Sequence, residues 1–268
     1  MADWSLKGLL QPAGAAFQLL TRIPVPVEIP FTRNILARSV AAYPVVGAVI
    51  GGLTGGAGWL LSEFVPPLPA AALMLLIWVA LTGALHLDGL MDTADGVLSH
   101  RSRERMLEIM KDSRVGAMGV MAAVLLLLFK FSVLAELLGQ RALPAALPHL
   151  AAACMWSRLW MAAAIVGWPN ARGNEGMGGM FAGVKLRHLG AAGGVLLAGT
   201  FVIYRLSGAN WLDACGYLFI FGFVTALVGG LAGYWLNRKL GGLTGDTYGA
   251  MNELVEAALL LAACMLVG

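Results

Sequence analysis

Charge is scarce in this sequence. Only 12% of its residues are Asp, Glu, Lys or Arg, 59% are apolar, and the mean hydropathy is +0.78. A soluble domain carries roughly a quarter charged residues, so a surface this poor in charge does not stay in water. That excludes an ordinary cytosolic enzyme and a disordered chain. Cysteine is scarce too. Cys154, Cys215 and Cys264 lie in apolar stretches without a CxxC pair, which excludes a disulfide scaffold or zinc framework and leaves packing roles. The net charge of +3 is too small to attract nucleic acid. Alternation of apolar and polar residues is missing, so a β-barrel is excluded as well. What remains is an all-α polytopic membrane protein.

A crossing helix needs about 20 mostly apolar residues. Stretches nearly free of charge run over 39–62, 64–87, 115–135 (broken by Lys130), 142–171 (broken by Arg158), 188–204, 214–237 and 248–267, which predicts about seven spans in one domain over 1–268. Before them, Leu6, Leu9, Leu10, Ala13, Phe17 and Leu20 recur at helical spacing beside Trp4. They predict an amphipathic helix on the inner leaflet, ended by Pro24, Pro26 and Pro30. The stretch lacks the apolar core and cleavage site of a signal peptide. Gly47, Gly51 and Gly55 form overlapping GxxxG patterns that let helices approach closely.

Basic residues are distributed unevenly. Fourteen of the 18 lie in the N-terminal stretch and in the loops after spans two, four and six; Arg141 and Arg205 lie on the opposite side, and Lys130 and Arg158 within spans. This bias predicts a cytoplasmic N-terminus in the inner membrane. Acids gather at the same edge in four clusters.

The first cluster, His86 to Gly96, spaces Asp88, Asp92 and Asp95 as i, i+4, i+7, which places three carboxylates on one helix face. Unpaired they repel; a hard divalent cation with oxygen ligands removes that penalty and suits a phosphate substrate. The alternative is a solvated acidic helix end. The second cluster offers Lys111 and Arg114 as phosphate binders and Asp112 as a further ligand, or else a charged helix boundary. The third is the glycine-rich loop Asn170 to Gly179, with Arg172 and Glu175, able to wrap a phosphate or to serve as a plain connector. The fourth, Gly241 to Glu253, brings Thr244, Asp246 and Glu253 to the last span, with Glu256 one turn on. Arg101, Arg103, Glu104, Arg105 and Glu108 form a solvated helix face. Lys130 is expected to reach outward toward Glu136, Arg158 to face inward as an anion contact, and His86 to act as a hydrogen bonder beside Asp88.

HLDGLMDTADGV, MKDSRVGAMGV and GGLTGDTYGAMNEL occur in this order, with LLTRIPVP, AYPVVGAVIGG and Ser157-Arg158 besides. Together they resemble the cobalamin synthase family over nearly the whole chain. The resemblance implies an adenosylcobinamide-GDP ribazoletransferase. In that reaction a hydroxyl of α-ribazole or its 5′-phosphate attacks the phosphorus next to cobinamide, and GMP leaves. It implies Mg²⁺ as cofactor, held by Asp88, Asp92 and Asp95, with Asp95, Asp112 and Asp246 as candidates to take the hydroxyl proton. It also implies a substrate-binding set of His86, Lys111, Arg114, Arg158, Arg172, Glu175, Thr244, Asp246 and Glu253. The partners implied are the corrinoid nucleotide, α-ribazole and membrane lipid, with room for a homo-oligomer or for association with other cobamide-assembly enzymes. A CDP-alcohol phosphotransferase is the rival in chemistry, but Leu90-Met91-Asp92 follows Asp88-Gly89 where that pattern needs Ala-Arg. An ion-coupled transporter would need acids near the bilayer midplane rather than at one edge.

Overall fold

In the computed structural model, residues 6–267 are described, together with the side chains from Leu10 onward; Trp4 and the side chains of Leu6 and Leu9 lie outside that range. The elements are α1 (Leu6–Leu20), α2 (Arg33–Ser39), a 3-10 turn (Val40–Ala42), α3 (Tyr43–Ser62), α4 (Pro67–Thr82), α5 (Leu85–Val97), α6 (Arg103–Ile109), α7 (Ala117–Gly139), α8 (Leu143–Gly167), α9 (Gly176–Met180), α10 (Leu186–Leu206), α11 (Trp211–Leu240) and α12 (Gly245–Val267). Among the described residues the only β pairing is a parallel bridge between Asn170 and Leu243. Six helical stretches (Arg33–Ser62, α7, α8, α10, α11 and α12) are long and apolar enough to cross a membrane, and α4 with α5 makes a seventh candidate.

The second predicted span is shorter than its apolar run. Gly83 and Ala84 both adopt left-handed backbone, with φ of 60° and 58°, and α5 leaves α4 at 88°. Gly83 takes that conformation freely and caps α4, whereas Ala84 holds it against a Cβ penalty. The helix bearing the aspartate motif therefore turns away from α4 and does not continue it. The helix over 6–20 is present. Its Ala15, Ala16 and Leu20 are buried against α2, the 3-10 turn and α3, so α1 docks on the bundle.

The bundle is centred on α8, of whose apolar window 67% is buried, against 22% for α10 and for α11. The GxxxG face explains the contact between α3 and α8. A Cβ on Gly47 would lie 2.3 Å from the Cys154 carbonyl oxygen, and one on Gly51 2.7 Å from the Ala151 Cα. Gly52 and Gly56, on the other face, meet nothing. Backbone-to-backbone packing of this kind replaces the missing hydrophobic drive between helices in lipid. The outer faces of α7 and α11 present Leu125, Leu128, Phe219, Phe223, Leu227 and Leu231, as a lipid-facing belt requires.

Charged side chains inside the bundle are paired with partners far away in sequence. Lys130 Nζ on α7 lies 2.6 Å from both Glu253 Oε2 and Glu256 Oε1 on α12, and Arg158 Nη1 on α8 lies 2.7 Å from Glu256 Oε2. All four side chains are buried. This corrects two expectations: Lys130 does not reach toward Glu136, whose partner is Gln140, and Glu253 sits inside the bundle, not at its edge. Arg158 faces inward, and the anion it meets is Glu256. A second tie joins α8 to α10 through His149 Nδ1 and the Tyr204 hydroxyl at 2.9 Å, with the Tyr217 ring packed edge-on.

Removing one member of a buried ion group leaves its partners charged and unpaired, at a cost of about 3–5 kcal/mol. Glu256→Gln is therefore expected to lower the melting temperature of the purified protein in detergent strongly, while Glu136→Gln on the exposed side leaves it within a degree or two. Equal melting of the two variants would show that the ion group does not hold the bundle together.

Candidate active site

The site begins with two glycines. A Cβ on Gly89 of α5 would lie 2.7 Å from the Asp246 carbonyl oxygen, and one on Gly249 of α12 would lie 3.1 Å from the His86 Cα. Glycine at both positions lets α5 and α12 touch backbone to backbone, so Asp88 and Asp92 arrive beside Asp246. Asp88 is exposed; Asp92 and Asp246 are partly buried. Asp92 shows the crowding. Burial, and then the negative charges of Asp88, Asp246 and Asp95, push its carboxyl up to about 6, with Arg172 opposing them.

Asp246 sits in a rigid turn. Thr247 N–H donates to Thr244 Oγ1 at 3.3 Å, and Thr244 N–H donates to Thr247 Oγ1 at 2.8 Å, a reciprocal cap at the start of α12. Thr244, expected to bind substrate, is buried in this cap and also donates its hydroxyl to Asp246 Oδ2 at 3.2 Å. Arg172 reaches the same oxygen at 3.1 Å from the loop after α8. That loop is stitched to the turn: Ala171 N–H donates to the Leu243 carbonyl and Leu243 N–H to the Pro169 carbonyl, each at 2.8 Å. The third and fourth sequence clusters thus form one unit.

Asp95 is placed differently from Asp88 and Asp92. Its Oδ2 accepts the Gly116 amide at 2.6 Å and its Oδ1 the Gly119 amide at 2.8 Å. A Cβ on either glycine would lie 2.4–2.5 Å from that carboxylate. Asp95 therefore caps α7, where the helix dipole stabilises its charge. Gly116 and Gly119, two residues and five residues past Arg114, were the available signal for this role, but their meaning depends on a partner about 20 residues away in sequence.

The second cluster lies at the rim. Asp112 holds Arg114 through two bonds, at 3.0 Å and 2.6 Å, and this pairing keeps its carboxyl at about 2, which suits it poorly to accept a proton. Lys111 pairs with Glu175 at 3.4 Å across two loops; both are exposed. Arg105 and Glu108 pair on the surface of α6, as a solvated face does.

His86 is buried. Asn252 Nδ2 lies 3.0 Å from its Nδ1; with the amide as donor the ring proton falls on Nε2, which has no partner. His86 lines a cavity of about 110 Å³ together with Asp88, Asp246, Tyr43 and Tyr248. A second cavity of about 280 Å³ shares Ile165, Phe181 and Tyr248 with the first and is walled by Trp168, Asn170, Asn174 and Gly178. Sequence reasoning did not single out Trp168, Phe181 or Tyr248, because an aromatic in an apolar chain carries no local mark of a cavity wall.

Two outcomes test this geometry. Asp95→Ala is expected to cost about 0.5–2 kcal/mol of stability through loss of the cap, readable by thermal melting. Asp92 holds its proton longer folded than unfolded, so its contribution to stability falls as pH rises between about 4 and about 6. Asp88→Asn removes one repelling charge and should shift the Asp92 titration, followed by infrared difference spectroscopy, to lower pH. An unmoved midpoint would mean that the two carboxylates do not interact.

The family model described as cobalamin-5-phosphate synthase matches residues 13–264. An adenosylcobinamide-GDP ribazoletransferase of Desulfitobacterium hafniense (strain Y51) is 41% identical over 254 residues, covering 92% of this chain and 94% of its own length. One from Desulforamulus reducens is 40% identical over 222 residues (82% and 83%), and one from Escherichia coli O157:H7 is 38% identical over 252 residues (92% and 97%). No solved structure matches. With a matching model over almost its full length and relatives this similar end to end, the chain belongs to the cobalamin-5-phosphate synthase family.

Proposed function

We propose that this protein is an adenosylcobinamide-GDP ribazoletransferase. The hydroxyl oxygen of α-ribazole, or of its 5′-phosphate, attacks the phosphorus next to cobinamide. The bond from that phosphorus to the bridging oxygen breaks, GMP leaves with that oxygen, and the hydroxyl proton passes to a protein carboxylate. The observation that carries this reading is the meeting of Asp88, Asp92 and Asp246, with Arg172 beside them, where α5 crosses α12 next to a cavity that Asp88 and Asp246 line. Acids without enough basic partners suit a diphosphate only if a cation comes with it.

Magnesium fits this donor set. The groups are carboxylate oxygens, and among the described residues no three acids, histidines or cysteines form a ready-made cage. Magnesium does not require one; it takes one or two carboxylates and fills its remaining positions with water and phosphate oxygens. Asp88 and Asp92 would hold it, and bound there it would neutralise charge on the diphosphate. Asp95, occupied by two amides of α7, is the weaker third ligand.

Arg172 supplies a planar, permanently charged group for a phosphate oxygen. Of the three candidates to take the hydroxyl proton, Asp95 is tied to α7 and Asp112 to Arg114. Asp246 presents Oδ1, while its Oδ2 is held by Arg172 and Thr244. We assign it that role. The excess of basic residues on the segments around this site supports an inner-membrane protein with the site on the cytoplasmic side. The corrin ring, far wider than either cavity, would stay at the mouth.

Purified protein supplied with adenosylcobinamide-GDP, α-ribazole and Mg²⁺ should release GMP and form adenosylcobalamin in equal amounts, measured by chromatography; GMP without the corrinoid product would indicate hydrolysis and refute the transfer. Asp246→Asn should lose about 10²- to 10⁴-fold in turnover with no rescue by added Mg²⁺. Asp92→Asn should recover partly as Mg²⁺ rises, as expected when a ligand is lost. Rescue of Asp246→Asn by Mg²⁺ would make it a ligand instead.

A further inference from the structure

Cations gather where α10 begins, and no acid joins them. The loop before α10 lies on α2: a Cβ on Gly183 would sit 3.3 Å from the Arg33 carbonyl oxygen and 3.5 Å from the Ala37 Cβ. That contact brings Arg38, in the last turn of α2, close enough for its charge to act on the His188 ring, as do the charges of Arg187 and Lys185. Lys185 and Arg187 are exposed, and neither is paired with a carboxylate of the described residues. Three cations around one ring repel one another unless an anion sits among them.

The ring shows where that anion belongs. The Lys185 backbone N–H donates to His188 Nδ1 at 3.0 Å, which closes the start of α10. An amide only donates, so Nδ1 accepts and the ring proton falls on Nε2. Arg187 Nε lies 3.3 Å from that Nε2, and a guanidinium N–H also only donates. Two donors therefore face each other without an acceptor. Protonating the ring does not relieve this, because it adds charge and takes the Nδ1 acceptor away from Lys185. One oxygen bridging the two nitrogens at ordinary lengths of about 2.9 Å does relieve it. If that oxygen is negative, it also offsets the charges of Lys185 and Arg38.

Location selects the source of the oxygen. The stretch Arg33–Ser62 and α10 are both long and apolar enough to cross a membrane, and both begin at this cluster, so the cations stand where spans enter the bilayer. Only 22% of the apolar window of α10 is buried inside the protein, so this helix borders lipid. Leu186, between Lys185 and Arg187, is 71% exposed. An apolar side chain flanked by two cations at a helix entrance fits the boundary between headgroups and acyl chains. A lipid phosphodiester with its chains along α10 uses both halves of this surface; a soluble phosphate uses only the cations.

We propose that the junction of α2 and α10 binds the headgroup of an anionic phospholipid, with one phosphate oxygen between His188 Nε2 and Arg187 Nε and with Lys185 and Arg38 beside it. The site does not depend on the transferase reading. It adjoins the working loop all the same, because Phe181, a wall of both cavities, lies in the segment that leads into Lys185.

The test is native mass spectrometry of the full-length protein in detergent, titrated with dioleoylphosphatidylglycerol and, separately, with zwitterionic dioleoylphosphatidylcholine. Wild type should bind the anionic lipid at least about 10-fold more tightly. Arg187→Gln, which leaves the helix cap intact, should weaken that binding roughly 5- to 10-fold. His188→Glu keeps an acceptor for the Lys185 amide and puts its own carboxylate where the phosphate would sit. It should abolish the preference for the anionic lipid without lowering the melting temperature. Arg101→Gln removes the same charge at an exposed position between α5 and α6 and should leave anionic-lipid binding within twofold of wild type. Equal binding of the two lipids by wild type would overturn the proposal. Equal weakening in Arg187→Gln and Arg101→Gln would do so too, since it would show a diffuse positive surface. Displacement of the lipid by excess inorganic phosphate or GMP would assign the oxygen to a soluble anion and overturn the lipid site.

Discussion

The architecture depends on one constraint, that a charge inside an apolar bundle must find an opposite charge. Two cations on α7 and α8 converge on two carboxylates of α12, and the four formal charges cancel. Each ion alone would be costly at this depth. Glu256 lies 11 residues past Gly245, about 16 Å along the helix. Together the four ions set the register of α12 against its neighbours. Once α12 is fixed, its first turn is fixed, and that turn carries Asp246.

From there the site follows by close contact. Gly89 and Gly249 allow α5 to lie directly on α12, and the left-handed pair at Gly83 and Ala84 swings α5 across the end of α4. The acidic residues brought together this way are managed unequally. Asp95 is neutralised by the amides at the start of α7, and Asp246 is partly neutralised by Arg172. Asp88 and Asp92 are left with surplus negative charge, visible in the raised proton affinity of Asp92. A structural carboxylate and two under-compensated ones, from one i, i+4, i+7 motif, divide stability from chemistry along a single helix face.

The deep acids also bear on the transporter alternative. Glu253 and Glu256 do lie inside the bundle, where a coupled transporter would place its acids, yet both are consumed by Lys130 and Arg158. The under-compensated acids are elsewhere, beside the cavities. The buried ions thus read as scaffold and the α5–α12 crossing as the working surface.

Much of this was legible from residues alone wherever the physics is local. Apolar runs set by bilayer thickness gave the spans, the GxxxG spacing gave a close helix face, and the Asp88–Asp92–Asp95 spacing gave a shared face on α5, because helix geometry acts over a few residues. What the tertiary structure alone decided were the partnerships. Lys130 pairs with Glu253 and Glu256, 123 and 126 residues away, and Arg158 with Glu256, 98 residues away. Asp95 meets Gly116 and Gly119 across the segment that carries α6, and Arg172 meets Asp246 from another helix end. A sequence states which charges and donors must be satisfied; only the packing of helices selects which distant group satisfies each, because that choice depends on angles and depths that no local spacing encodes.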